Sequence, residues 1–323
     1  MAATDSDQSL RIFVFWTVCQ LTGGLCFSLA LLTASLSKKV YRMPTWFSFC
    51  SSWVLCSLTF ILLPISGQLP GSHPPLALCV TQSSMIYASA VLIASTAVAL
   101  LTELWLAASA LARSPLQGFA QRHPRARTMF LVASPYALYT LVVLINVGIT
   151  LSHPHSVGLF RHGLFCTDRS EVPWRIAAAL SILAIAAILV LEFLCARHHY
   201  RVWSAHGHLE SAKPSRTLLI RVMLLTIFVL ACILVIFVHA MLPQPARFRD
   251  FEAIFMALFL LASFFIFGLS KDLCLVWLTV CLIPFRRWRR VAVHTESSAA
   301  EDLVIDVCRD GGQVVDGGPS TTA

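Results

Sequence analysis

Two cysteines and a few charged residues are the groups in this chain whose type and spacing could do chemistry. Cys79 stands at the head of the apolar stretch Cys79 to Arg113, and Cys166 lies in the polar loop SHPHSVGLFRHGLFCTDRSEVP. Both are expected on the oxidising side of a membrane, where disulfides persist. A bridge between them would tie that loop over the helices and restrict it; the alternative is two unpaired cysteines that face outward. Glu103, about 36 Å along an ideal helix from Cys79, is a carboxylate inside an apolar stretch. It could pair with a basic residue of a neighbouring helix end such as Arg221 and hold an inactive arrangement, or it could simply snorkel to the interface. Glu192 and Arg221 carry the same two readings.

At the other end of the helices, Gln82, Ser83 and Ser84 lie a turn beyond Cys79, while His239, Asp250 and Glu252 close the sixth and seventh apolar runs. These could contact a polar ligand or be polar for solvation alone; Gln82, Ser83, His239 and Glu252 are the candidates chosen. His153, His155 and His162 are irregularly spaced, and eleven cysteines occur without a CxxC pair, so no metal site is expected. No GxSxG, histidine array or paired acids appears in the apolar segments, so no catalytic residue and no cofactor is assigned.

The elements that must position these groups follow from composition. The chain has 323 residues, of which 57% are hydrophobic and only 12% charged, and its mean hydropathy is +0.76. A soluble domain carries about 25% charged residues, so the class is polytopic membrane protein. Apolar runs of at least about 18 residues cover a hydrocarbon core of roughly 30 Å. They lie at about 12–36, 46–63, 79–113, 129–151, 174–195, 217–242 and 251–269. The fold expected is all-α: a seven-transmembrane helix bundle over 12–272, after a short outer N-terminus at 1–11. The segment LCLVWLTVCLI is too short to cross, and FRRWRR after it suits anionic headgroups, so 273–290 is read as a short interfacial helix after the seventh span. Residues 291–323 read as a disordered tail.

Charge sets the orientation. With the N-terminus outside, the outer loops hold Arg11, Arg161, Arg169, Arg175, Arg247 and Arg249, and all the rest of the 24 Lys and Arg fall inside. The net charge of +8 therefore reports topology and membrane lipid contact, and nucleic acid is not an expected partner. On the inner face, Arg197, Arg201, Lys213 and Arg216 offer a cationic surface to a protein or to anionic lipid. Cys281 is a candidate for palmitoylation, or a plain apolar residue.

Seven spans, an outer N-terminus, a cysteine at the head of the third helix, a partner in the second outer loop and an interfacial helix after the seventh together resemble a G-protein-coupled receptor. FCTDRSEVPW and FGLSKDLCLVW further resemble the divergent orphan seven-span receptors of filamentous and mushroom-forming fungi. The resemblance covers about residues 10 to 290. It implies a receptor at the plasma membrane that couples an unknown small-molecule, lipid or peptide ligand to a heterotrimeric G protein. Glu103 and Trp105 fall where rhodopsin-like receptors have an acidic-Arg-aromatic triplet, but Leu104 stands between them, so that switch does not carry over. Asn-Pro-x-x-Tyr, Cys-Trp-x-Pro and the acidic residue of the second helix are also absent. A small multi-pass transporter or an accessory membrane subunit is the alternative; the chain shows no internal repeat, and Lys271 lies too near the end of the seventh run for a retinal-binding pump.

Overall fold

The computed structural model describes residues 2–37, 42–68, 74–109, 124–160, 163–206, 220–231, 246–268 and 273–279. Helices lie on all seven apolar runs: α1 Ala2–Leu36, α2 Pro44–Phe60, α3 Leu76–Ser109, α4 Pro124–Ser152, α5 Glu171–His206, α6 Ile220–Ala231 and α7 Ala246–Phe267. Within these, Gln8–Leu36, Leu76–Ala107, Pro124–Ser152 and Glu171–His198 are long and apolar enough to cross a membrane; Ile220–Ala231 and Ile254–Phe267 are shorter apolar helices among the described residues. Pro135 sits inside α4, as a helix with neighbours to satisfy the freed carbonyl permits.

The structure departs from the sequence reading at two helix boundaries and in fold class. α1 begins at Ala2, so the polar segment ahead of Ile12 continues the helix. α5 runs on to His206, so Arg197 and Arg201 stand on a helix and not in a loop; the run ARHHYRVW contains no Gly or Pro to stop it. The fold is also not purely helical. Val157–Leu159 (β1) and Cys166–Asp168 (β2) form a two-stranded antiparallel hairpin with Leu159 opposite Cys166. Each strand is only three residues long, too short for an alternation to show in the sequence.

α3 is the central rod. It packs against α2, α4 and α5 and carries the hairpin, while α1 packs on α2 and α7. Close approach of α1 and α2 depends on Gly24: a β-carbon there would lie 2.3 Å from Ser57 Oγ, and that hydroxyl donates across the interface to the Gln20 carbonyl at 2.7 Å. Small residues play this role between apolar helices because backbones must come near before their polar groups can meet.

Aromatic rings fill the space between α1, α2 and α7. Trp16 meets Phe60 edge-on at 5.4 Å, Phe27 stacks on Trp53 at 5.8 Å, and Phe49 lies 4.8 Å from Phe267. Phe259 joins them from α7 and stacks on Phe228 of α6 at 5.5 Å. α7 ends at Phe267, where Gly268 N–H caps the Phe264 carbonyl at 2.6 Å. A separate unit comprises 271–323; its described part is helical over 273–279.

Candidate functional site

The hairpin end of the bundle brings the sequence candidates together. Cys79 and Cys166 are disulfide-bonded, with Cα atoms 5.1 Å apart and a sequence separation of 87. Leu63, Leu78, Val157 and Leu159 surround the bridge. Gln82, one turn on, is fully buried. Its Oε1 accepts the Cys166 N–H at 2.9 Å, and its Nε2 donates to the carbonyls of Thr59 at 3.1 Å and Phe60 at 3.5 Å. The amide thus joins the end of α2, the head of α3 and strand β2, and both its N–H groups are directed to protein acceptors. Ser83 is buried too, and donates to the Val80 carbonyl at 3.2 Å. In this conformation neither side chain faces open space.

Strand β2 is held further along its length. Tyr87 Oη lies 2.9 Å from Thr167 Oγ1 and donates to the Asp168 carbonyl at 3.1 Å. The Asp168 carboxylate accepts from Thr150 Oγ1 of α4 at 3.1 Å and from the Ser170 N–H at 2.8 Å. Burial works against ionisation of Asp168, but hydrogen bonding from Ser156, Ser170 and Thr150 outweighs it and holds the carboxyl below its usual range. Ser156 shares its hydroxyl with the His153 carbonyl, 2.8 Å away.

A titration follows from this. A carboxyl whose folded value is depressed stabilises the fold above its unfolded value of about 3.9, and that stability is lost as pH falls through the lower folded value. The melting temperature of the wild-type chain is expected to drop more steeply below about pH 4 than that of Asp168→Asn. Equal slopes in the two proteins would show that Asp168 does not anchor the hairpin.

The hairpin tip enters the bundle. Leu164 is fully buried, and Phe165 packs with its ring centre 5.7 Å from Trp16, 5.6 Å from Phe60 and 4.6 Å from Phe160. Phe13, Cys19 and Ala257 complete this cluster. The tip therefore occupies the hairpin-side end of the α1–α2–α7 aromatic core. Nothing in the sequence marked Phe165, because an aromatic residue beside a loop cysteine gives no sign of its target.

At the opposite end of α3 the expected pairing is not the one formed. Glu103 is buried at 8% exposure and accepts a hydrogen bond from Thr45 Oγ1 of α2, in place of Arg221. Arg221 donates to the Phe267 carbonyl at 3.4 Å. Glu192 accepts from Thr226 Oγ1 of α6 at 2.7 Å. Each of these carboxylates is thus served by a threonine on a neighbouring helix, and Trp105, two positions past Glu103 on α3, is half-buried. A hydroxyl satisfies the acceptor without bringing a second desolvated charge into the interior.

A signal for the first pair was present in the sequence. Thr45, Ser52 and Thr59 on α2 are spaced by seven, as are Gln82, Ser89, Thr96 and Glu103 on α3. All are buried. Ser52 and Thr96 hydroxyls lie 3.1 Å apart, between the Glu103 and Gln82 contacts. A seven-residue spacing keeps residues on one seam of two helices that pack at a shallow angle, so Thr45–Glu103, Ser52–Thr96 and Gln82 to the Thr59 carbonyl make three rungs between α2 and α3, while Ser89 donates to the Met85 carbonyl of its own helix.

His239 and Cys281 lie outside the described residues, as does the side chain of Glu252, whose backbone belongs to α7. No protein-family model matches the chain, and no curated protein matches it either.

Proposed function

We propose that the chain is a cell-surface, seven-span receptor resembling G-protein-coupled receptors, in which the hairpin end faces outside and the α5–α6 end meets a cytoplasmic heterotrimeric G protein. The observation that carries this reading is the disulfide-pinned hairpin with Phe165 driven into the aromatic core. It gives a loop on one face direct contact with the helices α1, α2 and α7. At the far end, the Glu103–Thr45 and Glu192–Thr226 pairs are neutral-donor latches, weaker than ion pairs and so within reach of the few kcal/mol that a ligand can supply.

The test needs no identified ligand. In the purified full chain in lipid nanodiscs, Thr226→Val removes the donor that joins α6 to Glu192. Basal nucleotide exchange on added heterotrimeric G protein is expected to rise at least about fivefold, the equivalent of one lost hydrogen bond of about 1 kcal/mol. Glu192→Gln, which keeps an acceptor for Thr226, is expected to change it less. Absence of exchange in wild type and both variants, together with solute flux through proteoliposomes, would favour the transporter alternative, for which Glu103 and Glu192 are the buried carboxylates available to couple an ion.

A further inference from the structure

We infer that the place taken by Phe165 is the seat of a neutral aromatic ligand, with Phe165 as its built-in substitute. This deepens the receptor reading and rests on it for placing the hairpin end outside. Trp16, Phe60, Phe13 and Ala257 make the walls, drawn from α1, α2 and α7. Within and just below them stand polar atoms that the fold does not use. Trp16 is 1% exposed and Gln20 is 2% exposed, yet Trp16 Nε1 and Gln20 Oε1 have no hydrogen-bond partner. The two residues are four apart on α1, so they share one face. Trp16 on that face touches Phe165.

An orphaned donor and an orphaned acceptor in an apolar interior are costly, at about 1–3 kcal/mol each. Phe165 fills the shape of the seat but can answer neither of them. A flat molecule of one or two rings, with one acceptor for Trp16 Nε1 and one donor for Gln20 Oε1, would fill the same shape and answer both. Among the described residues, the side chains packed around this place are apolar apart from the Trp16 ring N–H, so an anion or a cation seated among them would lose its hydration without a counter-charge from them. The ligand class is therefore uncharged. Entry requires Phe165 to leave, which moves the hairpin and so links occupancy to the Cys79–Cys166 loop.

Indole-3-carbaldehyde, with its aldehyde oxygen and ring N–H, serves as the probe, and naphthalene as an apolar ring pair without either group. Binding is measured on the full chain in nanodiscs, with empty nanodiscs subtracted. Wild type is expected to bind the aldehyde at least about tenfold more tightly than naphthalene, with faster amide exchange over 157–168 on binding. Phe165→Ala, which leaves nothing to displace, is expected to tighten both probes about tenfold. Gln20→Leu and Trp16→Phe should each weaken the aldehyde about tenfold and leave naphthalene unchanged, a pattern that a simple cavity would not produce.

Binding of either probe only to Phe165→Ala would mean that the variant made a hole and that no seat exists in the native chain. Equal binding of the two probes to wild type would likewise overturn the inference, as would tighter binding of phenyltrimethylammonium. No G protein is present in this measurement. Binding as expected without any nucleotide exchange would defeat the receptor reading alone, and exchange without binding would defeat the seat alone.

Discussion

Replacing Cys79 and Cys166 by serine is expected to remove about 4–5 kcal/mol of stability and to lower the melting temperature by on the order of 10 °C. The size comes from the loop that the bond closes. With the cysteines 87 positions apart in sequence, opening it returns to the unfolded chain the entropy of a long loop, which grows as the logarithm of its length. The loss in the folded state is small by comparison, since Gln82, Tyr87 and Thr150 still hold β2. The double variant should therefore remain folded at low temperature with its helices intact. Peptide mapping of the non-reduced wild type must recover Cys79 and Cys166 in one linked fragment. An unchanged melting temperature in the variant would show that the loop is restrained in the unfolded chain by other means.

Gln82→Leu is expected to cost about 3 kcal/mol, nearly as much, without breaking any covalent bond. Leucine matches the volume well enough, so little of the cost is cavity. It arises chiefly because the Cys166 N–H, in contact with a fully buried side chain, loses its partner where water cannot replace it, while the Thr59 carbonyl is left with only its backbone donor at the end of α2. Gln82→Glu separates the two halves of this bracket: its carboxylate still accepts from Cys166 N–H but cannot donate to Thr59, and it buries a charge. It is expected to be at least as destabilising as leucine at neutral pH. Because Gln82 and the disulfide restrain the same strand, the triple variant should fall short of the sum of the two effects. Strict additivity in thermal denaturation would mean that amide and disulfide act on separate units.

The chain's apolar runs were enough to place helices at all seven positions, and the limits agree within a few residues at both ends of α2, at the start of α3 and at the ends of α4 and α7. Length and lack of charge are local properties, and a helix in an apolar setting satisfies its own backbone whatever its neighbours do. The disulfide was legible for a related reason: two cysteines expected on the oxidising side have few alternatives. Gln82 and Glu103 were legible as polar residues in apolar surroundings, but what they do was not. Gln82 is a bracket in this conformation, and Glu103 is held by Thr45.

Composition and the length of the apolar runs by themselves determined that this is a chain of long apolar helices, with a cysteine pair able to staple one loop to the third of them. Only the tertiary structure decided that this loop folds into a hairpin, that Phe165 enters the core beside Trp16, and that threonines rather than Arg221 serve the buried carboxylates. The physical reason is that burying a polar group or a ring is a contract between residues far apart in the chain. Any of several donors would satisfy Glu103 equally well on paper, and only the crossing of α2 over α3, set by side-chain packing along their seven-residue seam, brings Thr45 to it first.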